Sequence, residues 1–211
     1  MLPTPIRIKF TKTGALQFIS HLDLNRTMKT VMIRAKIPIH YSEGFNPHPK
    51  MVFALPLSIG AESVCELLDI KIDLEMTSYE IISRLNGALP PEMRVLEAYI
   101  PETKFTDIKF AEYDITADAP VDCTPLDAES VFVMKRTKTG EKECDIKPMI
   151  NRYEPIPGGI RGPIPGGIRC VLSATSTDYL NPEYIASVLG FTDYSIMRRR
   201  VLISDGVTEF R

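Results

Sequence analysis

Leu68-Asp69-Ile70-Lys71-Ile72-Asp73-Leu74 alternates apolar and charged residues without a break. Neighbouring side chains of a strand point to opposite faces, so the pattern demands one buried face and one polar face. Ile6-Arg7-Ile8-Lys9-Phe10 repeats it near the start of the chain. Two such segments predict a sheet covered on one side by helices. The covering helix must then present its own apolar stripe. Leu24, Met28, Val31, Met32 and Ala35 recur at the required helical spacing. Ile6, Ile8, Phe10, Ile70, Ile72 and Leu74 are therefore expected beneath Met28 and Met32.

The remaining elements of the first half follow from punctuation. Lys12-Thr13-Gly14 reads as a turn, and Ala15 to Ile19 as extended or irregular chain. Ser20 is an N-cap, with Asp23 placed for a return bond of the capping-box kind. The helix must end before Pro38. Met51 to Leu57 reads as a strand, Gly60 as a turn, and Val64 to Leu74 as the next strand. Thr77 or Ser78 caps a second helix through Leu85, with Tyr79, Ile82 and Leu85 or Leu89 facing inward. Pro90-Pro91 stops it, and Arg94 to Ile100 forms a last strand. The order is βαββαβ, the ferredoxin-like split arrangement, which leaves one sheet face open to a partner.

The second half is less regular. Tyr113 and Ile115 mark a short strand. Val131 to Arg136 and Glu141 to Ile146 flank a Thr137-Lys138-Thr139-Gly140 turn, a hairpin signal. Residues 155–169 contain an eight-residue Pro-Gly unit and its immediate repeat, too short for a solenoid and expected as a flexible loop. Cys170 to Ser176 resumes a strand. Asn181-Pro182-Glu183 opens a helix that ends at Gly190. Tyr194 to Ile203 closes the chain as a strand interrupted by Arg198-Arg199-Arg200. The chain is thus expected to be α+β, with a ferredoxin-like basic domain over 1–105. A second, smaller or incomplete α+β unit covers 106–211.

The net charge of −2 conceals an asymmetry. Residues 1–60 sum to +6, residues 61–130 to −11, and residues 131–211 to +3. All three histidines lie in the first, basic block. Such a balance fits an anionic ligand on one face. No apolar run is long enough for a transmembrane helix, and the first residues lack a signal peptide's apolar core. A cytoplasmic protein without a membrane partner is expected. Cys65, Cys123, Cys144 and Cys170 are too scattered for a CxxC site, so they read as buried thiols.

Candidate chemistry gathers in His40-Tyr41-Ser42-Glu43-Gly44-Phe45-Asn46-Pro47-His48-Pro49-Lys50. Two prolines and a glycine exclude a regular element here. Tyr41 and Phe45 suit stacking, Asn46 hydrogen bonding, and Lys50 an anion. His21 opens the basic helix just before. Structural readings stand beside these: His21 as part of a helix start, His40 as a strand-edge residue, Gly44 as a positive-φ hinge. His21 and His48 are the candidate catalytic residues. The proposed ligand set is Lys12, Ser20, His21, Asp23, Arg26, Ser42, Gly44, Phe45, Asn46, His48 and Lys50. The spacing of the histidines with Asp23 and Glu43 matches no compact metal motif, so no metal is assigned. The arginine triplet suits phosphate or a surface strand.

Lys12, Gly14, Phe18-Ile19-Ser20-His21-Leu22-Asp23, Arg26, Ser42 to Lys50, Gly60 and Glu62-Ser63 together resemble the radical-SAM-linked protein family. Asp145-Ile146-Lys147-Pro148 extends the resemblance, while the Pro-Gly repeat departs from it. This bacterial family occurs beside a radical SAM gene or fused to a B12-binding-type radical SAM protein. The resemblance implies a radical SAM partner. That partner would carry the iron–sulfur cluster and S-adenosylmethionine, because this chain lacks the CxxxCxxC pattern. Three functions follow: presentation of RNA or another phosphate-bearing substrate to the partner, metal-independent RNA cleavage with a histidine base, or a protein–protein adaptor. The first is preferred, since no histidine has an evident second catalytic partner.

Overall fold

The computed structural model describes residues 2–117, 121–137, 140–157 and 166–211, and leaves out the side chains of residues 136 and 137. The chain is α+β and divides into two compact units, Met1–Phe105 with Arg211, and Thr106–Phe210.

In the first unit β1 (Thr4–Lys12), α1 (His21–Arg34), β2 (Met51–Phe53), β3 (Ala61–Ile72), α2 (Ser78–Ala88) and β4 (Val95–Tyr99) follow the expected βαββαβ order. Their strands pair β4-β1-β3-β2, antiparallel throughout. Ile6 opposes Ile70 and Ile8 opposes Leu68 in the β1–β3 register. These residues pack with Leu24, Met28, Val31 and Met32 of α1 and with Ile81 and Leu85 of α2 in one buried core. Met28 and Met32 are fully buried, as the stripe predicts. Burying each such side chain contributes about 1.5–3 kcal/mol.

Helix ends follow local chemistry. Ser20 Oγ accepts the Asp23 N–H at 3.1 Å. Thr77 and Glu80 form a reciprocal capping box, with bonds of 3.2 and 3.0 Å. After α1, Lys36 takes a left-handed φ of 52°. The Ile37 N–H then reaches Met32 O at 3.0 Å, closing a Schellman-type end where glycine is usual.

Several expectations need correction. Residues 14–18 form a 3-10 helix. Strand β2 has three residues, because the chain turns away after Phe53. Leu74 and Tyr79 are exposed, since β3 ends at Ile72 and α2 turns Ile81 and Leu85 inward. The second sheet face is not open around Arg7. Its guanidinium is completely buried, bonded to Asp69 at 2.7 and 2.8 Å and to Thr103 at 3.0 Å. Phe105 stacks on it at 4.5 Å. The segment that follows β4 thus covers that face.

The second unit holds β5 (Phe110–Ala117), α3 (Thr124–Asp127), β6 (Phe132–Thr137), β7 (Gly140–Asp145), β8 (Ile150–Ile156), β9 (Gly166–Ser173), α4 (Glu183–Val188) and β10 (Tyr194–Leu202). Four strands pair antiparallel in the order β10-β5-β9-β8, and β6–β7 is the expected separate hairpin. Ile115, Ile168, Leu172, Ile185 and Ala186 are fully buried.

The Pro-Gly repeat is not simply a loop. Pro155 and Ile156 end β8 and oppose Ile168 and Gly167 of β9. Pro155 is tolerated there because β8 is an edge strand, where a missing donor matters least within this sheet. Residues 158–165, the centre of the expected flexible loop, lie outside the described residues. The arginine triplet does not interrupt β10 either. A bulge between Arg198 and Arg200 absorbs the extra residue. Arg198 turns into the core, where its Nε donates to Tyr113 Oη at 3.3 Å.

Candidate functional site

The loop from Tyr41 to Lys50 is built by its own hydrogen bonds. Tyr41 bridges Pro49, and the Ser42 N–H donates to His48 O at 2.8 Å. Ser42 Oγ accepts the His48 N–H at 3.1 Å and lies 3.0 Å from His48 Nδ1. Asn46 O is 3.4 Å from the same nitrogen. The imidazole is therefore oriented through Nδ1, and His48 is exposed. Gly44 adopts a φ of 115°, which a side chain rarely tolerates, and turns the tip. Phe45, next in sequence, is fully exposed. Asn46 and Lys50 are exposed as well.

The loop's base is anchored to β3. The His40 N–H donates to Lys71 O at 2.7 Å, and the Lys50 N–H donates to His40 O at 2.9 Å. His40 Nδ1 lies 2.7 Å from Asp73 Oδ1, so the structural reading of this histidine has a physical basis. Asp73 as that partner was not legible in the sequence, because thirty-three positions separate the two residues.

The helix start is less available than its residues imply. Asp23 Oδ2 accepts the Ser20 hydroxyl at 2.7 Å, and Asp23 Oδ1 lies 3.3 Å from Arg26. The Ser20 bonds hold the Asp23 carboxyl below its usual range, with Arg26 assisting. A carboxylate thus already sits at the positive end of α1. His21 is exposed and packs edge-on against Phe53 at 5.2 Å, and Phe53 meets Phe10 at 6.4 Å. Through Phe53 the helix start touches the strand that leaves the loop. Leu22, beside His21, is exposed, as is Phe18.

Lys12 is not a surface ligand residue. It is almost wholly buried, and its ammonium donates to Gln17 O at 3.2 Å. Ser63, already part of the Glu62-Ser63 motif, and Glu66 are buried on the same pair of strands; Glu66 was missed because an isolated polar residue in a strand looks solvent-facing. Asp145 and Lys147 of the Asp-Ile-Lys-Pro stretch are structural. Asp145 accepts the N–H groups of Val131 and Lys147 at 2.9 and 3.0 Å, and Lys147 Nζ bonds Leu126 O. Among the described residues, no group of three or more His, Cys, Asp and Glu side chains could hold a metal ion. Cys65 and Cys170 are buried, and Cys123 and Cys144 are half-buried. No helix among the described residues is long and apolar enough to cross a membrane.

No curated protein matches the chain. A bacterial family described as "uncharacterized protein conserved in bacteria" (DUF2344) matches residues 5–182, spanning the first unit, its loop and most of the second unit. The chain belongs to this DUF2344 family of conserved bacterial proteins.

Proposed function

We propose that this protein is a cytoplasmic accessory module that binds single-stranded RNA and presents it to a radical SAM partner. The partner class comes from the family resemblance, and the iron–sulfur cluster and S-adenosylmethionine belong to the partner. One observation carries the binding reading. The loop is tied together by Ser42 and His48 and orients His48 internally, yet leaves Phe45, Asn46, His48 and Lys50 exposed. None of these residues contributes to the core. An exposed aromatic with a cation and an amide in the same loop suits a stacked base and its phosphate.

RNA cleavage is the second reading, and one observation favours it. Asp73 orients His40 through Nδ1, the arrangement that prepares Nε2 as a general base. His21 and His48, the bases expected from sequence, contact no carboxylate among the described residues.

A salt titration of labelled single-stranded RNA tests both readings, with circular dichroism as the folding control. Phe45→Ala removes a stacking contact worth about 1–3 kcal/mol, so binding weakens about 5- to 150-fold. Lys50→Ala lowers the salt slope by about 0.7. His48→Ala weakens binding without unfolding the protein. Folded variants that bind like the parent at every salt concentration eliminate this loop as the site. Discrete metal-independent cuts lost in His40→Ala transfer the conclusion to the enzyme.

A further inference from the structure

Arg152 on β8, Arg169 on β9, and Arg199 and Arg200 on β10 bring four guanidinium groups to the second unit's sheet. The registers gather them around two acids. Arg169 opposes both Glu154 and Asp114, and Arg200 opposes Glu112. The acids lie low, with side chains 6% and 15% exposed for Glu112 and Asp114. The arginine side chains stand above them, between 38% and 45% exposed.

Each acid is shared by two arginines. Arg200 holds Glu112 side-on through Nε at 2.8 Å and Nη2 at 2.6 Å, and Arg152 Nη2 stands 3.6 Å away. Arg169 holds Asp114 at 2.7 and 2.9 Å, and Arg199 Nε stands 3.5 Å away. One side-on arginine already satisfies a carboxylate. Arg152 and Arg199 therefore exceed what the buried acids require, although Arg152 Nη1 also donates to Gly206 O at 2.6 Å. A guanidinium carries five N–H donors, and a side-on pair uses two, so donors remain on the outer edges. Four arginines face Glu112, Asp114, Glu154 and, acting on Arg200, Glu209, so an anion would be held by the outward guanidinium edges rather than by a surplus of charge. Glu154, 67% exposed and 3.8 Å from Arg169, is loosely held.

We propose that this sheet face binds the phosphodiester backbone of single-stranded RNA, with Arg152 and Arg199 as the outward contacts. Arg169 and Arg200, locked on the buried acids, position the face. Guanidinium planes held in this way match phosphate geometry, which lysines on flexible stems do not. The assignment rests on the reading of the protein as an RNA-binding module, and it adds a second surface that the loop does not contain.

The test uses the full chain and fluorescein-labelled oligouridylate across a salt series. Arg152→Gln and Arg199→Gln leave Glu112 with Arg200 and Asp114 with Arg169; melting should hardly change in Arg199→Gln, and should fall modestly in Arg152→Gln, which loses the bond to Gly206 O. Each is expected to weaken binding about 3- to 10-fold and to lower the salt slope by about 0.7. Arg199→Lys keeps the charge and should keep the slope. Phe45→Ala, run in parallel, separates the two surfaces. Loss of slope in the arginine variants while Phe45→Ala binds normally supports this face and removes the loop. Unchanged slope and affinity in both folded glutamine variants overturn the proposal and leave the loop reading standing. A parent that does not bind the oligonucleotide overturns both.

Discussion

Gly167 lies inside the Pro-Gly repeat, and its replacement by alanine is the sharpest test of how that segment packs. A Cβ added there would stand 2.4 Å from Ile115 O and 3.1 Å from Thr116 Cα. Ordinary non-bonded carbon contacts lie near 3.5–4.0 Å, so β5 and β9 would have to part by about 1 Å. The obstacle is backbone, which cannot swing aside as a side-chain tip can. Overpacking of this kind costs about 1–3 kcal/mol. Alanine offsets about 0.4–1 kcal/mol of that by restricting the unfolded chain. The net loss is about 1–2 kcal/mol, a fall in Tm of about 2–8 °C for a chain of this size. Gly87→Ala is the matched control. Gly87 lies in α2 with nothing within 4 Å of its added Cβ. The same substitution there should raise stability by about 0.5 kcal/mol. Thermal melts followed by circular dichroism read both. A Gly167→Ala protein that melts with or above the parent, while Gly87→Ala behaves as expected, would refute the close approach of β5 and β9.

Glu112→Gln should cost about 1–3 kcal/mol, because it strips a buried carboxylate from Arg200 and Arg152. Arg200 holds the Glu112 carboxyl below its usual value of 4.5. The ionised form's contribution is therefore complete above about pH 4.5 and fades as pH falls through the lower folded value. Chemical denaturation at several pH values should show parent and variant converging in acid; a gap independent of pH below that point refutes the pairing. Thr77→Ala removes the hydroxyl half of the α2 capping box, keeping the backbone N–H bond to Glu80, and should lose about 1 kcal/mol in urea unfolding. No change in midpoint would mean that the cap does not form. Met32→Ala should lose about 2–5 kcal/mol, and a smaller loss would contradict its complete burial beneath the first unit's core.

Much of the first unit was legible because its signals are local. Alternation in 6–10 and 68–74 requires a half-buried sheet, and the Leu24-to-Ala35 stripe requires the helix that covers it. Ser20 and Thr77 announce helix starts through bonds spanning three residues. The hairpin at 132–145 and the helix at 183–188 were readable for the same reason. The composition of 40–50 likewise marked a loop whose residues exceed the needs of a turn.

What remained hidden depends on partners far apart in sequence. Arg7 looked like a solvated strand residue until Asp69, Thr103 and Phe105 enclosed it. His40 acquired Asp73, and His21 acquired Phe53, through strand pairing and packing that no local pattern encodes. The glycines of the repeat resembled a flexible loop, yet Gly167 is required where two backbones meet. The arginine triplet looked uniform, but the bulge at Arg199 sends Arg198 into the core and leaves Arg199 and Arg200 with Asp114 and Glu112. Local periodicity decides which elements form, because neighbouring residues alone specify it. Which charges are buried, paired or left facing water is decided only when register and packing choose their neighbours.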